Sequence, residues 1–213
     1  MRPWPHLIVA LAAAALLTAC SGEEPGTASP APTEQTRAPS STSRTSQTAD
    51  LPANGAPGVA DPLNIDHFLG APCDTITSAQ MEEYFGSGVE QKQRTNASTG
   101  PECTWFRDDG NARAGVAVTF PQVTDQGLSA LYGHRDDYAY FEELDPVADY
   151  PAVAYDGVDS RDEGQCAVRV GTSDEATVDI TIYLSRQALG TVDPCDAAHE
   201  VATAVIGNIK ARN

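Results

Sequence analysis

Hydrophobic residues gather first in one run, Leu7-Ile8-Val9-Ala10-Leu11 through Leu16-Leu17, and then thin out until about residue 60. Beyond that point the spacing alternates between helical and strand periods. Ile76-Thr77-Ser78-Ala79-Gln80-Met81 reads as a hydrophobic staple around a capping box, with Thr77 capping, Gln80 at the third helical position and Ile76 against Met81. Met81, Tyr84 and Phe85 then share one face, and Gly86 ends the helix. Residues 86–101 are polar and turn-rich and predict no element. Cys103–Phe106 and Ala114–Phe120 predict a hairpin about the turn Asp108-Asp109-Gly110-Asn111, with Val116, Val118 and Phe120 on one face. Thr124 predicts the cap of a second helix over 125–133, with Leu128, Leu131 and Tyr132 inward. Tyr138–Phe141 fits neither period, and Pro146 and Pro151 mark irregular chain before a short strand at Ala152–Tyr155. Cys166–Val170 and Thr177–Tyr183 alternate cleanly and form a second hairpin of half-buried strands. In the last helix Asp193 caps and Pro194 takes the first position. Its buried stripe is Ala198, Val201, Ala202, Val205 and Ile209, with Ile206 beside it. The prediction is an α+β domain: an antiparallel sheet of hairpins with about three packed helices and two disulfides.

Charge removes several function classes. The 213 residues carry 13 basic and 30 acidic side chains, a net −17, and only Lys92 and Lys210 are lysines. A non-specific nucleic-acid binder needs a basic footprint, so no nucleic-acid partner is expected. Residues 61–213 hold 26 acidic against 10 basic side chains, a net −16, over the usual length of one domain.

The first apolar run is too short and too terminal for a comfortable membrane span, and it has the form of a secretory signal over residues 1–19. It closes on Leu17-Thr18-Ala19-Cys20, which has the form of a bacterial lipobox: an apolar residue three before the cysteine and a small one directly before it. That pattern implies cleavage before Cys20 and acylation of its thiol. Two or three acyl chains anchor firmly, since each buried methylene adds about 0.8 kcal/mol. The expected location is the cell membrane on its extracytoplasmic side, and the expected partner is the lipid bilayer, through acylated Cys20. Residues 21–60 hold six prolines, four glycines and twelve serines or threonines. Such a segment buries too little to offset its ordering entropy and reads as a tether. Its typical reach is roughly 35 Å.

Assigning Cys20 to lipid leaves Cys73, Cys103, Cys166 and Cys195, an even set that reads as two disulfides in an exported domain. Three connectivities stay open, because loop-closure entropy varies too slowly with length to choose among them. The reading leans to Cys73–Cys103 and Cys166–Cys195. Zinc sites favour close Cys-x₂₋₄-Cys pairs, and none is present, so no metal or other cofactor is expected.

The lipobox, the Ser/Thr/Pro tether, Pro72-Cys73 before a short helix and Cys103-Thr104-Trp105 occur in order. They are followed by Ala152-Val153-Ala154-Tyr155, Cys166-Ala167-Val168-Arg169-Val170 and Cys195-Asp196-Ala197-Ala198. In this order and spacing the chain resembles the DUF3558 family of actinobacterial lipoproteins over roughly residues 60–210. The resemblance implies an envelope location and this fold. It supplies no catalytic residue.

No catalytic constellation stands out. His67, His134 and His199 are far apart in sequence, and no Gly-x-Ser-x-Gly elbow accompanies His134. The acidic pairs, such as Asp136-Asp137 and Asp174-Glu175, read as solvated loops, and Asp156-Gly157-Val158-Asp159 does not match a calcium-loop spacing. Trp105 reads as core. Tyr132, Tyr138, Tyr140 and Tyr155 are the ligand-binding candidates, lining a groove between helix and sheet. The expected function is a non-enzymatic binding or accessory module of the cell envelope that takes an envelope protein or a small molecule. The alternatives are a cell-wall hydrolase or calcium-dependent enzyme, and a structural accessory to a transporter or secretion system.

Overall fold

Caps, staples and alternation carry through into three dimensions. The computed structural model describes residues 50–108 and 113–213, within the compact unit Ser46–Asn213. The signal segment, Cys20, the tether up to residue 49 and the turn from residue 109 to 112 lie outside the described residues. Among the described residues four α-helices are formed: α1 (Asp66–Gly70), α2 (Ser78–Phe85), α3 (Gly127–Gly133) and α4 (Pro194–Lys210). At the start of α2, Thr77 Oγ1 accepts the Gln80 N–H at 3.2 Å and Gln80 Oε1 accepts the Thr77 N–H at 2.9 Å, completing the capping box. At α4 the Asp193 carboxylate accepts the N–H groups of Cys195 and Asp196 at 2.7 and 3.2 Å. Every member of the expected α4 stripe is buried.

The strands are β1 (Glu90–Arg94), β2 (Glu102–Asp108), β3 (Arg113–Thr119), β4 (Tyr140–Val147), β5 (Tyr150–Asp156), β6 (Gln165–Gly171) and β7 (Thr177–Tyr183). They form one seven-stranded sheet in the order β1-β2-β3-β7-β6-β5-β4, with every neighbouring pair antiparallel. Alternation gives the sheet two faces. The inner face presents Cys103, Trp105, Val116, Val118, Val168, Val170, Ile180 and Ile182 to α4, α2 and α1. The outer face is polar over β1, β2, β3 and β7 apart from the aromatic pair Phe106 and Tyr183. Toward β5 it carries a second apolar cluster in which Leu128, Leu131 and Tyr132 of α3 meet Val153 and Ala56.

Of the three connectivities, the chain forms Cys73–Cys103 and Cys166–Cys195, with Cα separations of 5.0 and 5.1 Å. The first ties the 3₁₀ turn Pro72–Thr75 to β2, and the second ties the first turn of α4 to β6.

Three local expectations are corrected. Residues 86–101 contain a strand, β1, whose side chains Glu90–Arg94 are all exposed; an edge strand of this kind carries no apolar alternation. Pro146 and Pro151 lie within β4 and β5 rather than in irregular chain. Pro146 is accommodated because β4 is an edge strand with a register shift between Leu144 and Val147. The β4–β5 hairpin turns through Ala148 (φ +48°) and Asp149 (φ +80°). Thr124 does not cap α3, which starts at Gly127 with no side-chain cap. Gly127 has φ +51°, and a Cβ there would lie 2.5 Å from the Asp174 carbonyl oxygen. Close approach of the β6–β7 turn therefore sets this start.

Of residues 53–59, which composition groups with the tether, Ala56 packs on the outer face while Val59 joins the inner cluster. The Ala53 N–H donates to Ser129 Oγ at 2.8 Å, the Asn54 side-chain amide to the Ser129 carbonyl at 2.9 Å, and the Val59 N–H to Asp174 Oδ1 at 2.9 Å.

Candidate functional site

The inner layer is incomplete at one end of the sheet. There α2 stops at Gly86 while α4 continues, and the chain leaving β7 folds back through 184–192. Together they enclose a groove of about 420 Å³. Its floor is apolar, formed by Ala114, Ile182, Ala197 and Val201, and one wall is Tyr84 and Phe85. The opposite wall is the 184–192 segment, whose Leu184, Ala188 and Val192 face the groove. Val192 is 44% exposed, although Val is a residue that folding usually buries. The backbone turn Ser185–Ala188 and the Val192 N–H on the Ala188 carbonyl hold the segment in shape.

Two charged side chains edge this apolar surface. Arg107 reaches it from β2 and donates from Nη1 to the Phe85 carbonyl at 2.5 Å. Glu200 stands on α4. Burial, with the charges of Glu200 and Glu83 added, raises the Tyr84 phenol above its ordinary pKa, so Tyr84 stays a neutral donor at the rim. A shallower depression lined by Asp196, His199 and Thr203 shares Tyr84 and Glu200 with the groove. An apolar floor with a few fixed polar groups suits an apolar or amphipathic ligand.

The sequence-derived tyrosines divide between the two faces. Tyr132, Tyr138 and Tyr155 meet with Phe141 on the outer face, at ring-centroid separations of 5.1–6.4 Å. Tyr132, on α3, is 2% exposed, and the half-buried Tyr138, Phe141 and Tyr155 pack with it. Tyr155 also belongs to a polar knot. Arg169 holds Asp179 with two hydrogen bonds of 2.6 Å and donates to the Tyr155 hydroxyl at 2.7 Å. That hydroxyl in turn donates to Asp179 at 3.1 Å. Burial, then the Asp179 charge, push the Tyr155 phenol far above its ordinary value, against the opposing pull of Arg169. Tyr140 is not part of this cluster. One residue from Phe141 along β4, it faces the inner layer, where its hydroxyl lies 3.5 Å from Cys166 Sγ and Arg161 stacks 4.3 Å from its ring.

The remaining candidates also have definite places. Trp105 is 2% exposed and donates from Nε1 to Gln91 at 3.0 Å. His134 is exposed and meets Asp137 at 3.1 Å, while His199 Nε2 lies 3.0 Å from the Asp145 carbonyl. Asp159 is held by Arg161 through two contacts of 2.7 and 2.8 Å. Among the described residues no group of three or more His, Cys, Asp or Glu is placed to hold a metal ion, and no helix is long and apolar enough to cross a membrane. The groove itself escaped sequence reasoning. Its residues come from α2, β2, β3, β7, the 184–192 segment and α4, and the one local signal was Leu184 and Val192 outside any periodic element.

The model of the family described as "Protein of unknown function (DUF3558)" matches residues 15–208. No curated protein and no solved structure matches the chain.

Proposed function

Because the chain belongs to the DUF3558 family, we propose that it is a membrane-tethered lipoprotein on the extracytoplasmic side of the cell membrane, acting as a non-enzymatic binding module of the envelope. The observation that carries this reading is the partition of the cysteines. Cys73, Cys103, Cys166 and Cys195 pair among themselves. Cys20, the one left over, stands at the end of Leu17-Thr18-Ala19-Cys20. Disulfides persist in oxidising compartments, and a fifth cysteine behind an apolar run and two small residues is a lipid acceptor by position. The groove between α2, α4 and 184–192 supplies the binding surface, with its apolar floor ready for an apolar or amphipathic ligand.

The test is Cys20→Ala in the full-length chain, followed by cell fractionation and mass measurement. The expected result is loss of the acyl mass increment and of membrane retention. A variant still processed and membrane-bound overturns the anchor. Robust turnover of envelope substrates by the purified protein overturns the non-enzymatic reading.

A further inference from the structure

On the outer face, β1, β2, β3 and β7 align their side chains in lateral rows. One row is Glu90, Phe106, Gly115 and Tyr183. The next is Lys92, Thr104, Ala117 and Thr181, and the third is Arg94, Glu102, Thr119 and Asp179. The middle row has the smallest side chains over β2, β3 and β7 and forms the floor of a trough of about 440 Å³. Gly115 builds one wall. A Cβ there would lie 2.5 Å from Phe106 Cδ1, so the missing side chain lets the Phe106 ring lie over β3. The ring meets Tyr183 at 5.4 Å between centroids, tilted by 51°. The other wall is polar and fixed, with Arg94 donating to Glu102 at 2.6 Å. The cover provided by α3 and Ala56 lies toward β5, and the threonines of the trough are half-buried.

An aromatic wall facing a polar wall across a hydroxyl-bearing floor matches the two sides of a sugar ring. A pyranose offers an apolar C–H face for stacking and a rim of hydroxyls for fixed donors and acceptors. An apolar partner would strand Thr104, Thr181 and the Arg94–Glu102 pair without water. Charge narrows the ligand further. Lys92, Arg94 and Glu102 line the trough, and Glu90 and Asp179 flank it in the neighbouring rows. Arg94 is engaged by Glu102 and Asp179 by Arg169, so the Lys92 ammonium over the middle row is the cation that a ligand acid would meet in a domain of −16. At physiological salt, screening over about 8 Å makes the local sign count at contact, while the domain's net charge disfavours a densely anionic polymer. We propose that this trough binds a glycan strand with sparse acidic substituents, with Tyr183 and Phe106 stacking on the sugar and Lys92 pairing with the acid group. It lies on the sheet face opposite the groove and does not depend on it.

The test is calorimetric titration of the full-length chain in detergent micelles with two probes. One is a tetrasaccharide alternating N-acetylglucosamine with glucuronate, and the other is the all-N-acetylglucosamine tetrasaccharide. Both should bind, the acidic one about three- to tenfold more tightly. Tyr183→Ala should weaken both by about tenfold. Lys92→Gln should erase the preference and leave neutral binding intact. Thr181→Val, which keeps the side-chain volume, provides a second trough variant should Tyr183→Ala fail to fold, and it should also weaken both probes. Val158→Asp, at an exposed position that lines neither the trough nor the groove, should change nothing. Absence of binding to both probes, or binding indifferent to the trough variants, overturns the proposal.

Discussion

The two faces of the sheet are made by the same strands and obey different rules. Ile180 and Ile182 of β7 point inward and are at most 1% exposed, beneath an α4 fixed to β6 by Cys166–Cys195. Their neighbours Asp179, Thr181 and Tyr183 point outward into a charged, hydroxylated and aromatic surface. Each strand thus divides stability from surface chemistry at every second residue. A substitution should reveal its face by its effect on stability.

The largest break in that contrast should come from the bridge that fastens α4. Replacing both Cys166 and Cys195 by Ala should lower the unfolding free energy by about 4 kcal/mol in urea denaturation. A loss below about 1 kcal/mol would mean that the α4 stripe alone docks the helix. Next comes the adjacent pair. Ile180→Ala should remove about 3 kcal/mol, whereas Thr181→Ala should stay within about 0.5 kcal/mol. Equal losses at the two positions would erase the distinction between faces.

The smallest effect concerns protons on the outer face. The Tyr155 phenol is raised in the folded chain above an ordinary value of 10.0, chiefly by burial. The unfolded chain therefore releases this proton first as pH rises. The associated stability is intact below about pH 10 and falls above it. Tyr155→Phe should flatten the loss of stability between about pH 9 and pH 11, read from urea midpoints, and an unchanged slope would show that Tyr155 does not contribute to it.

Much of the inner layer was legible because its signals are local. Thr77 with Gln80 and Asp193 with Pro194 announce helix starts within a few residues, and Val178, Ile180 and Ile182 alternate without interruption. The outer face was harder to read. β1 is Glu-Gln-Lys-Gln-Arg, with no apolar position to reveal its alternation, and β4 combines Pro146 with a register shift. Once β4 is known, the separation of Tyr140 from Phe141 follows from strand alternation. The start of α3 depended on Gly127 meeting a carbonyl 47 positions away, at Asp174, which no window of neighbouring residues records. The groove and the trough are assembled from four or more elements each, so their residues become neighbours through topology.

The interrupted β4 margin limits assembly. Pro146 lacks a backbone donor, the register shift bends the strand, and His199 sits on the Asp145 carbonyl. Among the described residues, the β1 margin is the sheet edge with an unbroken register. If two copies joined there, each would offer its blunt side outward, and growth would halt at a dimer instead of running on into a fibril.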